Sequence, residues 1–187
     1  MILLEKRHLV NVAARRLHLL RMAGTLLLSG MLTLVVQPAF AQSSCSFSTV
    51  SDPPRQMLVC GEGLRIELEP SVQSKVLTRA GNAPPRALEL DKGAAFIEVA
   101  PGSRPTQIRT PHAIAAVRGT TYVVDVSDTG TSVFVVEGEV EVRKADDQSG
   151  IVVLGQGEGV DVAADTGLEV RRWPAPRVSG LLARFGR

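Results

Sequence analysis

Residues 121–143 decide the fold. Thr121-Tyr122-Val123-Val124-Asp125-Val126 is a β-branched run, Ser127-Asp128-Thr129-Gly130 breaks it, and Val133-Phe134-Val135-Val136 answers it. Glu137-Gly138 then opens into the alternating Glu139-Val140-Glu141-Val142-Arg143. Short apolar runs separated by turn residues read as paired strands, and period-two alternation reads as a strand with one wet face. The same grammar extends outward. Leu64-Arg65-Ile66-Glu67-Leu68-Glu69 and Val160-Asp161-Val162 alternate, and Phe96-Ile97-Glu98-Val99 is a short strand. The breaks fall at Gly81-Asn82, Pro84-Pro85, Pro101-Gly102, Asp146-Asp147 and Gly150. Strands of this length at this spacing predict an all-β domain.

Gly119, Gly138 and Gly157 recur at intervals of 19 residues, each before an apolar or alternating strand. Glycine at every corner of a period near 20 suits stacked two-strand coils, a β-solenoid or β-roll. A sandwich of regular hairpins gives a similar pattern, and the coil stack is the favoured reading. The chain then changes period. After the stiff connector Trp173-Pro174-Ala175-Pro176, Val178, Leu181, Leu182 and Phe185 stand at i, i+3, i+4 and i+7. That is one face of a short amphipathic helix. It serves either as a cap over a β edge, with its arginines facing out, or as a basic tail for anionic lipid or an acidic partner.

Residues 1–41 read as a signal peptide. Lys6, Arg7, Arg15, Arg16 and Arg21 precede the apolar run Met22–Val36, and Ala39 and Ala41 form the small-x-small pair before a cut at Gln42. The 15-residue run is short of the roughly 20 residues that span a bilayer, so an uncleaved anchor is the lesser alternative. Arg15-Arg16 lacks the rest of a twin-arginine pattern, and Gln42-Ser43-Ser44 before Cys45 is no lipobox. Five of the 21 basic and one of the 19 acidic residues belong to the leader, which leaves 16 against 18, a net of −2. Residues 171–187 hold Arg171, Arg172, Arg177, Arg184 and Arg187 with no acid, so residues 42–170 carry 11 against 18, a net of −7. Without a basic surface, and with aromatics at 4%, nucleic-acid binding is disfavoured. Cys45 and Cys60, 15 positions apart, predict one disulfide in an oxidising compartment, worth about 3 kcal/mol on the chain-entropy account. Cys-x-x-Cys redox spacing is absent.

Candidate chemistry is sparse. His112 is the single histidine after the leader, and it sits beside Pro111 and an apolar run rather than an orienting carboxylate. Glu137, Glu139 and Glu141 alternate as a solvated face, without a calcium-loop pattern. Gly155-Gln156-Gly157-Glu158-Gly159 lacks the residues of a phosphate loop and reads as a β corner. Gly119 reads as a bulge or corner, with Arg118 paired to Asp125, Glu137 or Glu139, or free to bind an anion. We therefore expect no catalytic residue, no cofactor and no metal. The candidate partner contacts are Arg118, Arg177, Arg184 and Arg187.

Three marks within residues 107–144 carry a family resemblance: Thr110-Pro111 before an Ala-rich run, Val117-Arg118-Gly119-Thr120, and Val136-Glu137-Gly138 before an alternating strand. A weaker fourth is Gly157-Glu158 before Val160. Over roughly residues 60–163 the chain resembles the periplasmic FecR domain, named for the iron-dicitrate sensor. The resemblance implies a β-solenoid-like or β-roll domain without enzymatic activity, engaged in envelope sensing or protein contact. In signalling members the domain receives a signal from a TonB-dependent receptor and passes it to a cytoplasmic sigma-factor regulator. Here only an export leader precedes the domain, and 24 residues follow residue 163, too few for the receptor-contacting subdomain. The expected organisation is a signal peptide over 1–41, a disulfide-stapled segment over 42–63, the β domain over 64–163 and a basic capping tail over 164–187. The expected function is a stand-alone periplasmic module acting through an envelope protein partner. The alternative is a structural module that binds cell-wall or surface polysaccharide.

Overall fold

The structure, a computed structural model, describes residues 45–61, 63–76, 87–147 and 150–187. All of them lie in the compact unit Phe40–Arg187. The predicted leader and the turns at Gly81-Asn82 and Pro84-Pro85 lie outside the described residues. The strands are β1 (Cys45–Ser51), β2 (Pro54–Cys60), β3 (Leu64–Leu68), β4 (Gln73–Val76), β5 (Ala87–Val99), β6 (Thr106–Arg109) and β7 (Ala113–Val117). They continue with β8 (Thr121–Val126), β9 (Thr131–Glu137), β10 (Val140–Lys144), β11 (Ile151–Leu154), β12 (Glu158–Val162) and β13 (Arg171–Arg172), before helix α1 (Ala175–Ala183). The all-β reading with one C-terminal helix holds.

The strands form one sheet curled into a half-barrel, with two faces meeting across a bend. One half runs β4-β5-β6-β7-β10-β11, and the other runs β1-β2-β3-β5-β8-β9-β12-β13. Only β5 belongs to both, and it changes halves near Gly93, at φ +88°. The 19-residue glycine period has a different origin from the coil stack it suggested. Gly119, between β7 and β8, has φ +67°; Gly138, between β9 and β10, has φ +87°; Gly157, between β11 and β12, has φ +79°. Each lies where the chain crosses from one half to the other. Apart from the parallel pair β5–β6, the described ladders are antiparallel, as in bent hairpins rather than stacked coils. A glycine period reports where a chain turns and says nothing of strand direction.

The corners explain the sequence marks. Thr120, almost fully buried, donates its hydroxyl to the carbonyl of Glu139 at 2.7 Å and so ties the Gly119 corner to the Gly138 corner. Thr110 accepts the amide of Ala113 at 2.8 Å and meets the hydroxyl of Thr131 at 2.8 Å. His112 Nδ1 lies 3.2 Å from that same Thr131 hydroxyl. The Thr-Pro-His turn thus fastens the β6–β7 hairpin to the start of β9. Cys45 and Cys60, opposed across β1–β2, form the expected disulfide. Because β2 also pairs with β3, the stapled segment continues the sheet.

The main core fills the space between the halves and includes Ile66, Leu90, Ile97, Ile108, Tyr122, Val124, Val135 and Leu154. A second core lies on the opposite face of the β3-β5-β8-β9-β12 half: Ala94, Phe96, Val123 and Phe134 beneath Trp173, Leu181 and Phe185. That half is therefore covered on both sides. This is why Ala94-Ala95-Phe96-Ile97 and Tyr122-Val123-Val124 are continuous apolar runs, each residue 2% exposed or less.

Candidate functional site

The outer face of that half carries a cluster of ion pairs. Side chains alternate along each strand, so Glu67 and Glu69, Phe96 and Glu98, Val123 and Asp125, and Ser132 and Phe134 share this face with Asp161. The result is an apolar floor ringed by carboxylates. Residues 173–187 lie across it.

Trp173 stacks on Phe134 with ring centroids 5.1 Å apart. It lies so close to Gly159 that an added Cβ would stand 2.4 Å from the indole. Arg177 lies over the indole at 3.4 Å from the centroid and donates to Asp161 at 2.9 Å. Phe185, fully buried, packs on Phe96 with centroids 5.7 Å apart. Arg184 forks between two strands: Nε and Nη2 reach Glu69, each at 2.7 Å, and Nη1 reaches Asp125 at 2.6 Å. Arg187 lies 3.8 Å over the Phe96 ring and reaches Glu67 at 2.9 Å. Glu67 is fully buried and also takes Arg55 at 2.6 Å and Arg65 at 2.8 Å. Helix α1 has Pro174 at its N-cap, no side-chain cap, and Ser179 and Gly180 in its interior. A nine-residue helix of that composition is marginal in water, so docking supplies its order.

The electrostatics follow from this geometry. Burial pushes the Glu67 carboxyl up, but hydrogen bonds from Arg187 and Arg55 outweigh it and hold the group below the usual carboxylate range. Glu69 behaves likewise, its desolvation outweighed by Arg184 and the Ala94 amide. At Asp161 the Arg177 hydrogen bond leads and lowers the pKa. A carboxylate depressed in the folded state contributes stability above its unfolded pKa, near 4, and loses it as pH falls through the folded value. Tail docking is therefore intact at neutral pH and weakens in acid. The expected result is a red shift of emission from Trp173, the sole tryptophan, as pH falls below about 4, ahead of the loss of far-UV β signal.

Three of the candidate arginines thus differ from the outward-facing arrangement expected of a capping helix. Arg177, Arg184 and Arg187 turn onto the sheet because its exposed strand faces offer them carboxylates. Arg118 does not pair with Asp125, whose carboxylate is held by Arg184; it is exposed and makes no ion pair among the described residues. Glu137, Glu139 and Glu141 are exposed, but they do not share one strand: Glu137 ends β9, Glu139 lies in the Gly138 corner and Glu141 is in β10. Among the described residues no His, Cys, Asp and Glu converge to hold a metal. Glu67, Glu69 and Asp161 were not singled out by sequence reasoning. The available signal was the charge split, −7 over residues 42–170 and five arginines over residues 171–187.

Residues 52–141 match the family described as FecR protein. They are a FecR domain. Two crystal structures of a proposed anti-sigma factor from Parabacteroides distasonis ATCC 8503 share the fold, each with a TM-score of 0.56. They are 21% and 20% identical to this chain and align over 73% and 74% of it. This chain spans 64% of the length of each. At that identity the likeness is one of architecture. No curated protein matches the chain closely enough to add to these. The FecR domain contributes Glu67, Glu69, Phe96, Asp125 and Phe134 to the docking face, whereas Trp173 to Arg187, which cover it, lie beyond the matched residues.

Proposed function

We propose that this chain is an exported, non-catalytic FecR module that works in the bacterial periplasm through contact with an envelope protein, in sensing or signalling. The observation that carries the reading is the FecR domain itself, over residues 52–141. The Cys45–Cys60 disulfide supports an oxidising compartment, and the sequence features of residues 1–41 support export. A glycan-binding module would offer aromatic platforms to stack sugars. Here Phe96, Tyr122, Phe134, Trp173 and Phe185 are all buried, and Phe47 alone among the described aromatics is exposed. Arg118, on an open corner, is the candidate contact that remains on free surface.

In-cell crosslinking of the tagged protein at native expression, followed by mass spectrometry, tests the reading. One dominant envelope protein is expected, with its recovery reduced by Arg118→Glu. Co-purification with cell-wall material and no enriched protein would overturn it.

A further inference from the structure

The carboxylates under the C-terminal segment have other partners. Glu67 retains Arg55 and Arg65. Glu69 accepts the Ala94 amide at 3.1 Å, and Asp161 accepts the Ser132 hydroxyl at 2.6 Å. Only Asp125 depends on the segment alone among the described contacts. Removing one partner from an ordinary buried ion pair strands a charge. Here the rim stays largely paired when the segment leaves, so the face can stand open. The segment itself has the form of a ligand. Its helix is uncapped and interrupted by glycine. It presents apolar anchors at i, i+3, i+4 and i+7, as a helix seated in a groove does. Its strongest contacts come from Trp, Arg and Phe, and Trp and Arg are the types that dominate interface hot spots. Residues 163–170, which lead to it, contain no strand or helix.

We propose that the outer face of the β3-β5-β8-β9-β12 half is a docking site for a basic amphipathic helix of a partner protein, with residues 173–187 as its intramolecular stand-in. This rests on the protein-contact reading and names its surface and its ligand chemistry. The partner helix carries an aliphatic or aromatic stripe for Phe96, Val123 and Phe134. It carries an arginine at the position of Arg184, because one planar fork spans Glu69 and Asp125 and an ammonium does not. Acidic helices are excluded by like charge. The tethered segment competes at an effective concentration near the millimolar range, so the resting protein admits an outside helix poorly.

The probe is a fluorescein-labelled peptide of residues 171–187, titrated into the purified full chain and read by anisotropy. The wild-type protein binds it weakly. R184A/R187A, whose own segment is loosened, binds it at least tenfold more tightly, and adding D125K removes that gain. Loosening the other end with W173A/R177A produces the same tightening. Equal affinity for the wild type and both loosened variants, or binding that survives D125K, overturns the proposal. So does unfolding of both loosened variants, which would make the segment part of the obligatory core. Peptide binding without any crosslinked envelope protein leaves the docking face standing and removes the protein-contact reading. Absent peptide binding alongside a crosslinked envelope protein removes the face and leaves that reading.

Discussion

Glu67→Ala lowers stability by about 3 kcal/mol and the Tm by about 6–12 °C. The side chain is fully buried, yet three guanidinium groups converge on it: Arg55 at 2.6 Å, Arg65 at 2.8 Å and Arg187 at 2.9 Å. Deleting the carboxylate leaves three like charges facing a void. Breaking a buried pair commonly costs about 3–5 kcal/mol, and the lower end applies because Arg65 and Arg187 keep part of their surface in water. Glu67→Gln retains volume and an acceptor but loses the charge, and costs less than Glu67→Ala. Release of the C-terminal segment does not relieve the defect, since Arg55 and Arg65 belong to the sheet. Urea and thermal unfolding at neutral pH check both values.

The second large effect concerns a corner. Gly138→Val costs at least about 3 kcal/mol, from a β-branched residue in the left-handed region together with a backbone clash. At φ +87° an added Cβ would stand 2.9 Å from the Gly119 carbonyl oxygen and 3.0 Å from the Thr120 hydroxyl. The obstacle is another corner's backbone, which cannot rotate away. Gly102→Ala is the control. Its φ is +79°, but no atom lies within 4 Å of the new Cβ, so only the conformational cost of about 1–2 kcal/mol remains. Matched unfolding curves for the two variants separate the crossing between halves from ordinary turn geometry.

The strands were legible wherever one face was wet or a run was β-branched: β8 covers Thr121–Val126, and β10 covers Val140–Lys144 against the expected Glu139–Arg143. The helix was legible from Val178, Leu181 and Leu182, with Phe185 falling just past its end at Ala183. The sheet's bend was not, because Gly119, Gly138 and Gly157 mark turns in a coil stack and in bent hairpins alike. Glu67 shows the deeper limit. In Leu64-Arg65-Ile66-Glu67-Leu68-Glu69 it reads as a solvent-side charge, yet its partner Arg187 lies 120 residues away. Alternation reports that two faces differ and does not report what covers the polar one. The charge split between the domain and its tail was visible, but its internal pairing depends on tertiary structure.

Amide hydrogen exchange of the whole protein at neutral pH, resolved by segment, tests most directly whether the acidic face opens. Residues 178–187 should exchange through local opening, faster than the β5 and β8 amides beneath them, with R184A/R187A widening the gap. Exchange of the segment at the same rate as Phe96 and Val123, through global unfolding alone, would contradict the account and leave the tail a fixed part of the core.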